Sequence, residues 1–550
     1  MKKLLLAVIL FSIAASANAQ INLNVKAALN NLLRYGSGTE TFLGNSYAKE
    51  YFENVTDARL SVNDIIFGMR YEIDQPIEYG VNFRGIKKRF IEYNNTDAGL
   101  NLRAGDFWEI VAKGLSFNTF EDRALFYDTG VDGVKVSYKK TFGEKNPVKT
   151  KGLLMLGRIV FNDNLKPERV ETYDIRAGNF EISPIKPLTF GANYVYAQGN
   201  VPAAFDTTAL QSYIPEGYAS LNIGNLQVFA SYAHKHTNTV QNTTYPIPFH
   251  ANGDGFYSSV SYSLPKLGFT LDYKNYRFDL TAPDYRSLDR PTRMLPFQNP
   301  PTAVKEHATT LLSRYPHVVD FNDEVGAQFD VVYAPDDKTT FNLNAAAASR
   351  HYNYVDISPG GLTVYQRVDR SNSWMPDFGD EFSPWYEFFL EGERYFSDKF
   401  YGKVAYDYQN SVIYDNMNPS ASEKMKIHTI PTELRYTFIK DYTAKLNFEQ
   451  QFVNSSLHSN DPNFINQLVS LSVSRSPNVS ATVSYEWTTS DQEPTGKKNW
   501  LLGEVSYKIN PTNSVTVSYG TERGGVKCTN GICRYVRPFE GFRLTINSKF

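Results

Sequence analysis

The chain holds two cysteines, and they flank a turn: Cys528-Thr-Asn-Gly-Ile-Cys533. Asn-Gly readily takes the left-handed conformations of a tight two-residue turn, which brings flanking Cα atoms to bridging distance. In an oxidising compartment the expectation is a disulfide that braces a loop tip; a redox-active pair more often reads Cys-x-x-Cys. His234 and His236 share one face at the end of a strand, with His250 in the following loop. Two imidazoles can ligate a metal, but a zinc site takes three or four protein ligands. No third ligand has compelling spacing, so a wet loop base and no metal are expected. Glu121, Asp122, Arg123 and Asp128 place opposite charges close enough to pair within a polar interior. The sequence has no Gly-x-Ser-x-Gly elbow, His-Glu-x-x-His or phosphate loop. No catalytic residue, enzyme activity or cofactor is therefore expected.

The elements that would carry these residues are strands almost throughout. From Phe400 to Asn410, Gly402, Val404, Tyr406 and Tyr408 fall on one face, and Lys403, Ala405, Asp407 and Gln409 on the other. From Tyr442 to Phe452 one face holds Tyr442, Ala444, Leu446, Phe448 and Phe452, the other Thr443, Lys445, Asn447, Glu449 and Gln451. The period of two recurs in Val479 to Trp487 and Val515 to Tyr519. A soluble sandwich would alternate too. These segments, however, run about ten to thirteen residues against the usual five or six, near what a tilted strand needs to cross a bilayer. Aromatics gather near their ends, as at Tyr442 and Phe452 or Tyr507 and Tyr519, where an interfacial girdle lies. The polar faces carry Lys403, Asp407, Glu433, Arg435, Lys445, Glu449, Glu504 and Lys508, which suit a lumen better than a dry core.

The connections alternate in length. Short turns are expected at Ser183-Pro184-Ile185, Gly224-Asn225, Pro265-Lys266, Pro335 to Asp337, Ser397-Asp398, Lys440-Asp441, Ser476 to Asn478 and Asn510 to Thr512. Between them lie longer connections: Gly199 to Gly217, Thr237 to Gly255, Phe278 to Glu324, His351 to Ser383, then four shorter ones ending with Glu522 to Arg537. Short turns on one side and long loops on the other describe a barrel with periplasmic turns and extracellular loops. About seventeen strands after Glu171 and roughly seven before it give about 24, within 22–26. The last strand presents Phe542, Leu544, Ile546 and the terminal Phe550, the pattern of a carboxy-terminal barrel-insertion signal.

Composition agrees. There are 37 Tyr, 37 Phe and 5 Trp, yet mean hydropathy is -0.40, which excludes a bundle of membrane helices. Lys and Arg number 56 against 58 Asp and Glu, so no net field favours nucleic acid. Lys2 and Lys3, the apolar run Leu4 to Ile13 and Ala17-Asn18-Ala19 read as a signal peptide cleaved after Ala19. Residues 20–550 are then one all-β domain: a large single-chain antiparallel transmembrane β-barrel of the outer membrane. Its expected contacts are outer-membrane lipid, the barrel-assembly machinery during insertion and, in one reading, other outer-membrane subunits.

Three stretches, 113–131, 278–324 and 351–383, are long inserts that can fold into or over the lumen. Pro301 to Tyr315 predicts a short helix, with Val304, Ala308, Leu311 and Tyr315 as its apolar stripe and Pro316 as its stop. The stretch Glu121-Asp-Arg through Asp128-Thr-x-x-x-Gly-x-x-x-x-Tyr138 resembles an uncharacterised Bacteroidota outer-membrane family of porin-like barrels. That resemblance implies fold and location and adds no site residue.

About 16 to 18 strands already enclose an aqueous channel and 22-stranded transporters are plugged, so a barrel this wide must be open, narrowed by its inserts or occupied. The reading is a porin-like channel for small polar solutes with an insert-narrowed lumen, whose mixed-charge wall predicts little ion preference by sign. The alternative is a non-transporting accessory barrel of a larger assembly, for which Ala345 and Ala347, outward in this register, would be a close-packed patch.

Overall fold

A computed structural model describes residues 23–42, 44–162, 170–202, 207–239, 250–279, 295–357, 365–368, 372–415, 418–457, 461–493 and 495–550. The expected signal peptide lies outside these residues. Twenty-four strands, from Val25–Phe42 to Phe539–Lys549, each pair antiparallel with the next, and the last pairs with the first. Register at the seam runs from Asn30 opposite Lys549 to Glu40 opposite Phe539. The sheet therefore has no free edge, as a wall facing lipid requires. Seven of its strands precede Val170.

The wall inverts the usual rule of burial. In Phe400–Ile413, Val404 is 52% exposed and Asp407 is 0% exposed. Outward residues such as Leu154, Leu156, Leu471, Val483 and Leu501 stay exposed around the ring and form an apolar belt. Aromatic pairs flank the belt: Tyr333–Phe341, Phe396–Phe400 and Phe438–Tyr442 toward the short turns, Tyr196–Tyr213, Phe256–Tyr273 and Tyr485–Trp487 toward the long loops. An apolar band between two aromatic girdles is the outer surface of a transmembrane β-barrel.

Connections alternate as expected, with shifts. The strand Val170–Ile185 runs through Ser183-Pro184-Ile185, and the turn falls one step later. A register irregularity between Ile182 and Ile185 absorbs Pro184, which has no N–H to give the ladder. Gly199 to Gly217 is mostly strand: Leu188–Pro202 and Thr207–Ile223 pair as far as Pro202 opposite Thr207. The alternation is masked there because the inward Ala197, Leu210 and Ile214 are apolar and fully buried. His250 likewise begins a strand, His250–Ser263, rather than sitting in a loop.

The expected helix over Pro301 to Tyr315 is absent; the segment holds one 3-10 turn, Leu312–Arg314. Wall side chains take the backbone bonds a helix would have made. Lys274 donates to Thr302 O, Glu449 accepts from Thr310 and Leu311, and Gln451 donates to Leu311 O. A thin apolar stripe does not outweigh that set.

Candidate functional site

The interior is occupied by two of the barrel's own inserts. Residues 108–130, between the fifth and sixth wall strands, turn inward because their apolar side chains have no lipid to face. Val111, Leu115 and Phe117 are buried against inward residues of the wall, including Tyr173, Ile175 and Val195. Charged groups then fix the insert around its rim. Arg70 on the wall donates to both carboxylate oxygens of Glu121, at 2.6 and 2.8 Å, and Arg123 reaches Glu72 at 3.0 Å. Asp122 caps its own turn by accepting the N–H of Ala124 and Leu125. Asp128 meets Lys88 at 2.7 Å and accepts from Trp108 Nε1 and the Gly130 N–H, each at 2.9 Å. Burial alone would raise the Asp128 carboxyl, but Lys88 and these donors hold it below the usual carboxylate range. On the far side Ser116 donates to Glu216, which also accepts from Ser231.

The second insert crosses the lumen. Phe297 packs on Tyr173 and Phe117, and Asn299 and Asn118 exchange side-chain-to-backbone bonds of 2.9 Å with each other. Tyr276 donates to Pro301 O at 2.7 Å. Further on, His307 bonds Glu387, Thr310 and Leu311 bond Glu449, and Arg314 bonds Glu486 at 2.5 Å. Tyr173 and Glu486 belong to the eighth and twenty-first strands of the ring of 24, nearly opposite each other. The chain returns by stacking His317 on Trp385 and pairing it with Glu324, which also takes Lys274.

The cysteine loop completes the plug. Gly525–Thr529 and Ile532–Val536 form a hairpin with Cys528 bonded to Cys533. Its tip docks inward: the Asn530 N–H donates to Glu306 at 2.6 Å, and Ile532 packs on Leu125 and Tyr127. The sequence reading expected a disulfide-braced tip in the last long loop; the structure turns that tip toward the inserts.

The wall charges lie around and beneath the plug. Lys403 pairs with Glu391 at 3.3 Å, and Arg435 with Glu433. Lys445 and Glu449 line a cavity of about 450 Å³ with Lys403, Glu433, Lys305 and His307. Asp407 is fully buried beside Glu387 and His307. Glu504 and Lys508 alternate with the outward Val505, Tyr507 and Ile509, so they face inward nearer the short-turn rim. A larger cavity, about 930 Å³, opens at that rim between Lys139, Lys149, Lys151 and Glu181. Phe542 faces outward with its ring tilted 56° to that of Tyr35, Leu544 and Ile546 follow on the same face, and the exposed Phe550 bonds Leu29 through both backbone groups. His236 and His250 bond Asn252 and Asn238 across two strands on the outward face. Sequence reasoning missed His307, Glu387 and Glu486, whose partners lie 80 to 172 positions away; no local spacing signals such pairs.

Fold and site together define a transmembrane β-barrel whose lumen is plugged by segments inserted between its own strands. The chain belongs to DUF6029, a family of unknown function whose model matches residues 1–550. No curated protein matches it. Among solved structures it is similar to the siderophore receptor PirA from Pseudomonas aeruginosa, at 10% identity and TM-score 0.43, covering 95% of this chain and 80% of that one. It is also similar to the copper transporter OprC (11%, TM-score 0.41, 96% and 80%) and to the P pilus usher PapC translocation pore (10%, 0.39, 96% and 99%).

Proposed function

We propose that this protein is an outer-membrane channel for small polar solutes, gated or narrowed by its in-chain plug, and that it binds and passes solute without catalysis. One observation carries the reading. Between the crossing insert and the wall a polar cavity remains, lined by Lys305 and His307 of the insert and by Lys403, Lys445, Glu433 and Glu449 of the wall. A dry structural interior would not gather lysines and glutamates around an unfilled cavity. Location in the outer membrane, export by cleavage after Ala19 and the Bacteroidota lineage are parts of the same proposal, supported by the apolar belt, the leader pattern and the Glu121 to Tyr138 stretch.

A second reading has its own support. Two inserts tied to nearly opposite walls by ion pairs suit a permanently filled barrel, an accessory subunit of a larger envelope assembly. Planar-bilayer conductance of the purified, heat-modifiable protein separates them. Stepwise current of small, weakly ion-selective unit size supports the channel. Silence from folded protein overturns it in favour of the subunit.

A further inference from the structure

We propose that His307, Glu387 and Asp407 bind one divalent transition-metal ion that joins the lumen-crossing insert to the wall. His307 comes from the insert; Glu387 and Asp407 come from the neighbouring wall strands Trp385–Ser397 and Phe400–Ile413. One donor atom from each of the three lies within 4.8 Å of the others. His307 Nε2 and Glu387 Oε1 are 2.8 Å apart, and Gln409 Nε2 donates to that same oxygen at 2.8 Å.

Asp407 points to an occupant. Its side chain is fully buried, yet no N–H or O–H of the described residues donates to either carboxylate oxygen, and the group it meets is the carboxylate of Glu387. Glu387 Oε2 is buried and receives no such donor either. Unmet acceptors at 0% exposure are costly, and two carboxylates in contact need positive charge between them. One imidazole and two carboxylates are a donor set for Zn²⁺, Mn²⁺ or Fe²⁺ rather than for Ca²⁺, which takes six to eight oxygens. Donors each about 2.1 Å from an ion stand at most roughly 4.2 Å apart, so a small rotation of Asp407 closes the set. Gln409 then orients Glu387 from outside the ligands, as outer partners of metal carboxylates do.

The proposal does not rest on solute passage, and its test reads binding alone. Full-length folded protein in detergent, stripped with chelator, is titrated calorimetrically with Zn²⁺. One equivalent should bind, and Asp407→Asn and His307→Gln should each weaken it roughly 100-fold or more, since even outer partners are worth 10–100-fold. No binding to the unaltered protein overturns the proposal and leaves the two carboxyls sharing a proton. Equal binding by the protein and both variants overturns it too, by placing the ion elsewhere. Co²⁺ loading of the unaltered protein needs no variant to fold: visible bands distinct from aqueous Co²⁺ support the site, and the aqueous spectrum alone overturns it.

Discussion

The carboxylate of Glu449, on the wall, accepts the backbone N–H of Leu311, on the insert, at 2.7 Å, and that of Thr310 at 3.2 Å. One side chain thus takes two successive donors that a helix over Pro301 to Tyr315 would have bonded to the carbonyls of Glu306 and His307. Glu449→Gln keeps the shape and loses the charge and one acceptor. It should loosen the insert by about 1–3 kcal/mol while the sheet stays intact. Limited proteolysis near Arg314 reads this directly; cleavage no faster than in the unaltered protein would count against the bond as an anchor.

Asp128 makes the first insert acid-sensitive. Its folded carboxyl lies below its unfolded value, held there by Lys88, Trp108 and Gly130. The stabilisation is therefore complete above the unfolded value of about 3.9 and is lost as pH falls through the lower folded value. Asp128→Asn should remove the insert's share of this acid dependence. Melting curves between neutral pH and strong acid check it, and an unchanged acid limb would refute the assignment.

Reducing the Cys528–Cys533 bond should release the hairpin from Glu306. A loop this short restrains the unfolded chain by about 2 kcal/mol in the chain-entropy account. Hydrogen exchange at the Asn530 N–H should accelerate in Cys528→Ser/Cys533→Ser, with exchange in the wall strands unchanged.

Replacing the crossing segment, Leu295 to Val319, by a short Gly-Ser linker should enlarge the unit conductance several-fold if the plug sets the pore. Equal currents with and without the segment would show that the constriction lies elsewhere.

Export has a simple chemical readout. Mature protein from an outer-membrane fraction should begin at Gln20 by amino-terminal sequencing; a start at Met1 would refute cleavage.

The wall was legible because its signal is local. Val404, Tyr406 and Tyr408 against Ala405, Asp407 and Gln409 state two environments within six residues, and each strand repeats that statement. The strand count before and after Val170 followed from it. The plug was legible only as interruption. Leu115 to Gly130 breaks the alternation, but nothing in it says that Glu121 meets Arg70 or that Ser116 meets Glu216. Those contacts are between segments 51 and 100 positions apart, fixed by ring geometry. Pro301 to Tyr315 failed in the opposite way: it carries helix punctuation, and its tertiary partners override it.

The seam between Val25–Phe42 and Phe539–Lys549 imposes an order on assembly. Its residues are separated by nearly the whole chain, so the ring can shut only when the final strand arrives, a closure of the slowest kind. Both inserts belong to segments made earlier. They must either be inside before the last strand docks or be drawn in afterward through the open mouth. In the first case the plug is a mould around which the wall curls, and its arginine and glutamate contacts guide the curvature of the sheet as it forms.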